Sequence, residues 1–380
     1  MVEEFSILDS SSDGSRQWWE LSQDGNCQFE FSTLQQGRSQ GVQMLKSHVG
    51  CVKLDLILSR AANIGYLEFN GVSVGWRSPI QGPVHPHFVP LYRPDGLGWL
   101  EGFDEVLARC GLGNVGGPEF NERHQLVQPL HGALSNQPCR SAKAIVDRQK
   151  REVVFETETE ECVFHFNRLT VVSQTIVSMD EPKVTVRDRI ENRGARTAEI
   201  LLLHHWNFGP PILGPAARIY VGHAELAPRN ATAAGQVSGW DRMPPPAPET
   251  EETVYFFRPE ADAQGFSSAL LCDENQENGV QMNWKMESMP CFTLWRNPVA
   301  ESDGYALGLE PGTCYPNSRT HEQQVGRAVK LKPGDSHSVE VSLRGWINDS
   351  DGLAQEVDRV QNLSASAIKH SSPCDSFGPV

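Results

Sequence analysis

The chain has 380 residues, 39% of them hydrophobic and 21% charged, with a formal net charge of −15 at pH 7. This composition describes a folded protein with a sizeable core and excludes a disordered or low-complexity chain. The acidic balance argues against nucleic acid or an anionic membrane surface as a partner, because both need basic surface.

In chain order, residues 1–50 are polar and irregular, and they are expected to form an N-terminal extension docked on the core through Trp18 and Trp19. The acidic start, Met1-Val2-Glu3-Glu4, lacks the basic-then-apolar layout of a secretion signal, and no apolar run is long enough to span a bilayer. Nine scattered cysteines without a Cys-x-x-Cys pair favour reduced thiols and a cytoplasmic location over a disulfide framework or a zinc site.

From Val52 the pattern changes. Residues 52–58 alternate apolar and polar side chains as a half-buried strand does, and Asn70-Gly71 reads as the turn of a following hairpin. Residues 80–117 are rich in Gly and Pro, interleaved with His85, His87, Phe88, Tyr92, Trp99 and Phe103. Only residues 100–110 there have helical spacing, with Leu100, Phe103, Val106 and Leu107 on one side. The segment is either a binding loop over a site mouth, offering Trp99, Phe103 or His87, or an Ω-loop packed by its own side chains.

From Ala144 to Arg344 strand patterns recur: 152–157, 162–172, 183–192, 199–207, 217–221, 254–257, 268–272, 280–285, 292–295, 305–309, 328–331 and 338–343. Ten or more short strands without βα alternation predict an all-β, antiparallel sandwich or barrel, placed at residues 51–346. A helix over 351–368 and a frayed tail over 371–380 complete the chain.

The chemistry is expected at three strand or loop ends. Residues 200–213 open as an aliphatic strand and end at Gly209-Pro210-Pro211. Alternation puts His205 and Asn207 on one face of that strand and His204 and Trp206 on the other. Such histidines serve as proton donors and ligand clamps, or as ordinary strand residues held by backbone carbonyls. His131 stands beside Gly132, and Glu310 precedes a Pro-Gly turn at the end of an apolar strand, where burial raises a carboxyl pKa. Two imidazoles and one carboxylate suffice for proton shuttling. His85 and His87 find no second ligand cluster, so no metal and no cofactor is expected.

Several motifs together carry a resemblance. They are Gly75-Trp-Arg-Ser-Pro79, residues 96–105, Leu130-His-Gly132, His205-Trp-Asn-Phe-Gly209 and Gly308-Leu-Glu-Pro311. From about 52 to 343 the sequence resembles the aldose 1-epimerase (galactose mutarotase-like) superfamily, in its DUF4432-type branch. The resemblance implies a large antiparallel β-sandwich and an isomerase that interconverts anomers of a small-molecule carbohydrate. By motif Glu310 matches the base, His205 the acid and His131 a second histidine on a sugar hydroxyl. Arg60 resembles the arginine that clamps the sugar, although Ala61-Ala62-Asn63 follows it where the family pattern runs Gly and then an acidic residue. Asn207, Arg77, Trp99, Asp104 and Asp241 complete the implied substrate contacts. A carbohydrate-binding protein without turnover, or another sugar isomerase or lyase, is the alternative on the same fold.

Overall fold

A computed structural model of the chain describes residues 2–9, 15–21 and 26–379. Two large sheets face each other. A nine-stranded sheet runs from Val2–Leu8 at one edge, through Lys183–Asn192 near its middle, to Arg218–Val221. A fourteen-stranded sheet runs from Gln17–Glu20 through the central strand Ala198–Phe208 to Ile368–Lys369 at the far edge. The pairings are antiparallel throughout the long strands, and Ile368–Lys369 adds in parallel to His223–Pro228. The architecture is the expected antiparallel β-sandwich. Among the described residues three α-helices occur, of 5, 6 and 14 residues. None is long and apolar enough to cross a membrane.

Alternation explains the packing. Along Lys183–Asn192, Val184, Val186, Asp188 and Ile190 point inward while their neighbours stay accessible. They meet Ile200, Leu202, Trp206 and Phe208 from the opposite sheet in one continuous core. The central strand is buried on both faces, because Leu201 and Leu203 pack outward beneath Trp99 and Phe103. That is why it reads as an unbroken apolar run rather than an alternating one. The expected hairpin is present, with Phe69 paired to Val72 and left-handed φ of 49° at Asn70 and 83° at Gly71.

Three expectations need correction. The first fifty residues are not an irregular extension: Val2–Leu8 pairs with Cys139–Asp147, and Cys27–Thr33 and Gln43–Val49 continue the other sheet. Cys27, Phe29 and Phe31 alternate into the core there, so a polar average hid a period of two. Residues 100–110 form no α-helix. A short 3-10 turn, Gly98–Gly102, is followed by Leu107–Leu112, whose backbone is taken by the central strand. Tertiary pairing there overrides the local periodicity. The tail is not frayed, since Phe377 is buried and its carbonyl accepts from Asn317 Nδ2 at 2.8 Å. The C-terminal helix is Ser350–Leu363, with Asp349 capping its start.

One ionic group joins the sheets through the core. Asp188 receives Arg109 Nε at 2.8 Å and Nη2 at 3.3 Å, and His204 Nε2 lies 2.8 Å from the same carboxylate. All three side chains have no solvent exposure. Burial pushes the Asp188 carboxyl up, but Arg109 and His204 outweigh it and hold the group below the usual carboxylate range. Removing one partner of such a buried pair costs about 3–5 kcal/mol. Asp188→Asn is therefore expected to lower the unfolding free energy by about that amount, measured by urea denaturation. Because the folded pKa is depressed, the stability Asp188 contributes is present above its unfolded value, roughly 4, and is lost as pH falls below that. An acid titration of stability should show this loss in the wild type and lack it in the variant.

Candidate active site

The site lies on the outer face of the fourteen-stranded sheet. Trp206 pairs with Leu309 and Leu203 with Gly312, so the register sets position 205 opposite position 310. Position 310 in turn pairs with Thr293. His205, Glu310 and Thr293 are thus neighbours in one row across three strands, and directly opposed side chains share a face. Next in the row, Ala108 pairs with His205 and keeps the floor open with its small side chain. Beneath them, a Cβ at Gly308 would lie 2.5 Å from Glu310 Oε1, so a side chain there would displace the carboxylate.

His205 Nε2 and Glu310 Oε1 are 3.3 Å apart, with side chains 7% and 3% exposed. The expected base and acid therefore stand side by side rather than across a sugar-sized gap, because cross-strand pairing fixes their separation. Burial pushes the Glu310 carboxyl well above its ordinary value, Glu252 adds to the rise and Arg229 opposes it. Burial likewise pushes His205 well below the ordinary imidazole range, with His131 adding to the fall.

His131 stands on the wall. Its backbone is left-handed, φ 56°, followed by Gly132 at φ 73°, where a Cβ would meet the Gly111 carbonyl at 2.3 Å. That close approach turns the chain so that the imidazole faces His205, with ring centroids 5.6 Å apart. The Val115 carbonyl, 2.7 Å from His131 Nδ1, accepts only, so Nδ1 carries the proton and Nε2 is an acceptor. Burial pulls His131 down to about 4. Trp99 lies edge-on to His131 at 4.6 Å, while Phe103 and Trp295 lie 5.3 and 5.4 Å from His205. These rings bound a cavity of about 350 Å³, and Arg229 and Glu252 form part of its lining. That volume is in the range of small-molecule sites.

The loop expected over the mouth supplies Trp99 and Phe103; His87 is exposed on Phe88, away from the cavity. The other sequence-derived contacts are placed elsewhere. Arg60 is fully buried and off the cavity lining. Its guanidinium meets Asp104 at 3.1 Å, Glu105 at 2.7 Å and the Gly102 carbonyl at 2.5 Å. Asp104 belongs to that cluster, not to the cavity; burial and Glu105 push its carboxyl up to about 7 against the pull of Arg60. Both hold the Trp99 loop down instead of facing a ligand. Asn207 is also behind the wall, donating Nδ2 to the Glu105 and His205 carbonyls at 3.0 and 3.1 Å. Arg77 is exposed, and Asp241 is half-buried 3.5 Å from Arg218 on another part of the surface. Thr293, Trp295, Arg229 and Glu252 were not found from sequence. The strand pattern at 292–295 was the one signal for the first two, and nothing marks the others. Among the described residues no three His, Cys, Asp or Glu side chains are grouped to hold a metal ion.

The two sheets give an all-β sandwich with the fold of solved galactose mutarotase-like proteins. More narrowly, the chain belongs to the family described as Domain of unknown function (DUF4432), which matches residues 39–344. No curated protein matches it. A Klebsiella pneumoniae crystal structure, provisionally called an aldose 1-epimerase, superposes with a TM-score of 0.91 at 24% identity, covering 98% of this chain and 99% of that one. A galactose mutarotase-like protein from Clostridium acetobutylicum gives 0.59 at 14% identity, over 84% and 98%. A third, from Escherichia coli and also provisionally called an aldose 1-epimerase, gives 0.51 at 16%, over 80% and 99%. At these identities the likeness is one of fold.

A tautomer test follows from the His131 geometry. Nitrogen-15 NMR of labelled protein should show one histidine neutral from pH 8 down to about pH 5, protonated at Nδ1 and bare at Nε2. That signal should disappear in His131→Asn.

Proposed function

We propose that this protein is an isomerase that exchanges the anomers of a sugar by opening and closing its ring. The observation that carries the reading is the His205–Glu310 pair, 3.3 Å apart on the floor of an aromatic-walled cavity. The two oxygens that must exchange protons, the anomeric hydroxyl and the ring oxygen, are bonded to one carbon. A base and an acid standing side by side suit that geometry. Glu310 as carboxylate takes the proton of the anomeric hydroxyl while His205 as imidazolium protonates the ring oxygen. The bond between the anomeric carbon and the ring oxygen breaks, leaving an aldehyde and a free hydroxyl. After rotation about the adjacent carbon–carbon bond, the hydroxyl adds to the other face of the aldehyde. It returns its proton to His205, and Glu310 returns its proton to the new anomeric oxygen. His131 Nε2 accepts from a sugar hydroxyl, and the faces of Trp99 and Trp295 cover the apolar side of the ring.

The reactive pair holds one proton in total. Burial favours that proton on Glu310, so the working state, Glu310 carboxylate with His205 imidazolium, is the minor arrangement of the same proton count. The rate should be flat in pH while the pair holds one proton. It should fall on the acid side below the ordinary imidazole value of 6.5, when His205 is charged beside a neutral Glu310. It should fall on the alkaline side at a pH set by the raised Glu310, above its ordinary 4.5. NMR exchange spectroscopy against pH reads both limbs.

Glu310→Gln and His205→Asn keep approximate shape and remove proton transfer. Each is expected to lower anomer exchange on the order of a hundredfold or more. Full exchange in both variants would reject the assignment. A wild type that binds a sugar and accelerates none would make the protein a carbohydrate binder. Trp99→Ala should weaken sugar binding by about tenfold, on the scale of a lost aromatic contact, read by titration of the remaining tryptophan fluorescence.

A further inference from the structure

A second cavity, about 390 Å³, adjoins the first. The two share Gly117, Pro118, Arg229 and Pro316 along a common edge. The C-terminal tail forms a wall of the second cavity through Pro373, Phe377 and Pro379. That wall is anchored: Phe377 is 1% exposed and its ring lies 5.4 Å from that of Tyr315. Arg327 Nη2 also donates to the Phe377 carbonyl at 3.3 Å.

Among the described residues Arg229 is the single charged side chain lining this second cavity; the other linings are prolines, phenyl rings, glycines and uncharged polar groups. Its guanidinium is 3.9 Å from Glu252 Oε1, beyond hydrogen-bond length. Glu252 is held in turn by Trp295, whose Nε1 donates to Oε2 at 2.6 Å. No side-chain hydrogen bond joins Arg229 to the described residues. A guanidinium offers five donors and no acceptor, in a fork that fits carboxylate or phosphate oxygens. Among the described residues no side-chain carboxylate lines the second cavity to compete for it. The charge is also felt at the reaction floor, where Arg229 opposes the rise of Glu310 and adds to the fall of His131.

We propose that the substrate is a sugar carrying an anionic group, a carboxylate or a phosphate monoester, at the end remote from its anomeric carbon. Arg229, whose side chain is 44% exposed, binds that group at the junction of the two cavities, and the tail lines one side of that space. The orientation rests on the anomer-exchange reading, which puts the anomeric carbon over His205 and Glu310. Specificity then comes from a charge that a neutral hexose lacks, in a chain whose net charge is −15.

The test compares glucose, glucuronate and glucose 6-phosphate as probes on wild type, Arg229→Ala and Arg229→Lys. Anomer exchange is followed by NMR and binding by tryptophan fluorescence. The wild type should exchange one of the two acids at least about tenfold more efficiently in kcat/KM than glucose, the scale of a hydrogen bond to a charged group. Which acid is preferred separates carboxylate from phosphate recognition. Arg229→Ala should remove that advantage and Arg229→Lys should restore part of it. Equal efficiency on all three sugars, or an equal loss on all three in Arg229→Ala, would overturn the proposal. Acid binding that Arg229→Ala abolishes, without exchange of any sugar, would reject the isomerase reading and keep the anion site. Exchange of glucose alone would do the reverse. Failure of both acids to exchange or bind would overturn the anion site.

Discussion

Everything at the site depends on which face of the central strand each histidine takes, and the buried Asp188 carboxylate settles that. An isolated charge in the core costs several kcal/mol, so Asp188 is tolerated only where Arg109 and His204 reach it. Those partners are cross-strand neighbours in the opposite sheet. A slip of one residue along Ala198–Phe208 would turn His204 outward, leave Asp188 short of a partner and bring His205 into an apolar interior. The ionic group thereby specifies the register that sets His205 beside Glu310. Its contribution is to uniqueness as much as to stability, since the desolvation of three polar side chains offsets much of their attraction.

A second arginine organises the cover of the site. Arg60 ties Gly102, Asp104 and Glu105 to the end of an early strand, and this fixes Trp99 and Phe103 over the sheet. The turn that carries Arg60 serves both networks. Ala61 and Ala62 adopt left-handed φ of 50° and 52°, and their carbonyls accept from Arg109 at 3.2 and 2.8 Å. Left-handed backbone costs roughly 1–2 kcal/mol at a residue with a side chain. The sequence oddity at 61–63, alanines in place of a flexible glycine, therefore coincides with a strained turn held by a buried guanidinium. Arg60 and Arg109, one through its side chain and one through its neighbours' carbonyls, couple the loop, the central strand and the opposite sheet.

The sandwich was legible because strands with one solvent face alternate, as 183–192 does, and because the only α-helices within 144–344 among the described residues are of 5 and 6 residues. Two-sided burial was legible too, in the aliphatic run before His204. What sequence alone does not carry is side-chain direction in irregular backbone. Arg60 at a strand end has the same letters around it whether it reaches a ligand or a loop carboxylate, and Asp104 beside it likewise. Asn207 was correctly given the face of His205, yet backbone carbonyls take its amide. Thr293 and Trp295 enter the site only through pairing with a strand adjacent in the sheet, a relation that no local pattern records. Glu310 and His131 were visible because each stands beside a proline or glycine that ends or bends its segment, and His205 because it lies near the end of an aliphatic strand that stops at Gly209.

The polar inventory of the cavity is compatible with the proposed sugar on energetic grounds. Trp99 Nε1, Thr293 Oγ1 and Glu310 Oε1 have no hydrogen-bond partner within the protein. A buried donor or acceptor left unmade costs about 1–3 kcal/mol, more in apolar surroundings such as these rings. At the cavity such partners can arrive with a ligand. Trp99 supplies a donor alone, Thr293 either, and Glu310 an acceptor or, with its proton, a donor, so the proposed ligand would offer both kinds of group at short intervals. Hydroxyls on adjacent carbons do this, each donating and accepting by rotation of one bond. An apolar ligand would fill the aromatic walls and leave the polar floor unsatisfied, and a purely anionic one would leave Glu310 facing a like charge. The proposed sugar, with an apolar ring face and several hydroxyls, would meet the walls and the floor together.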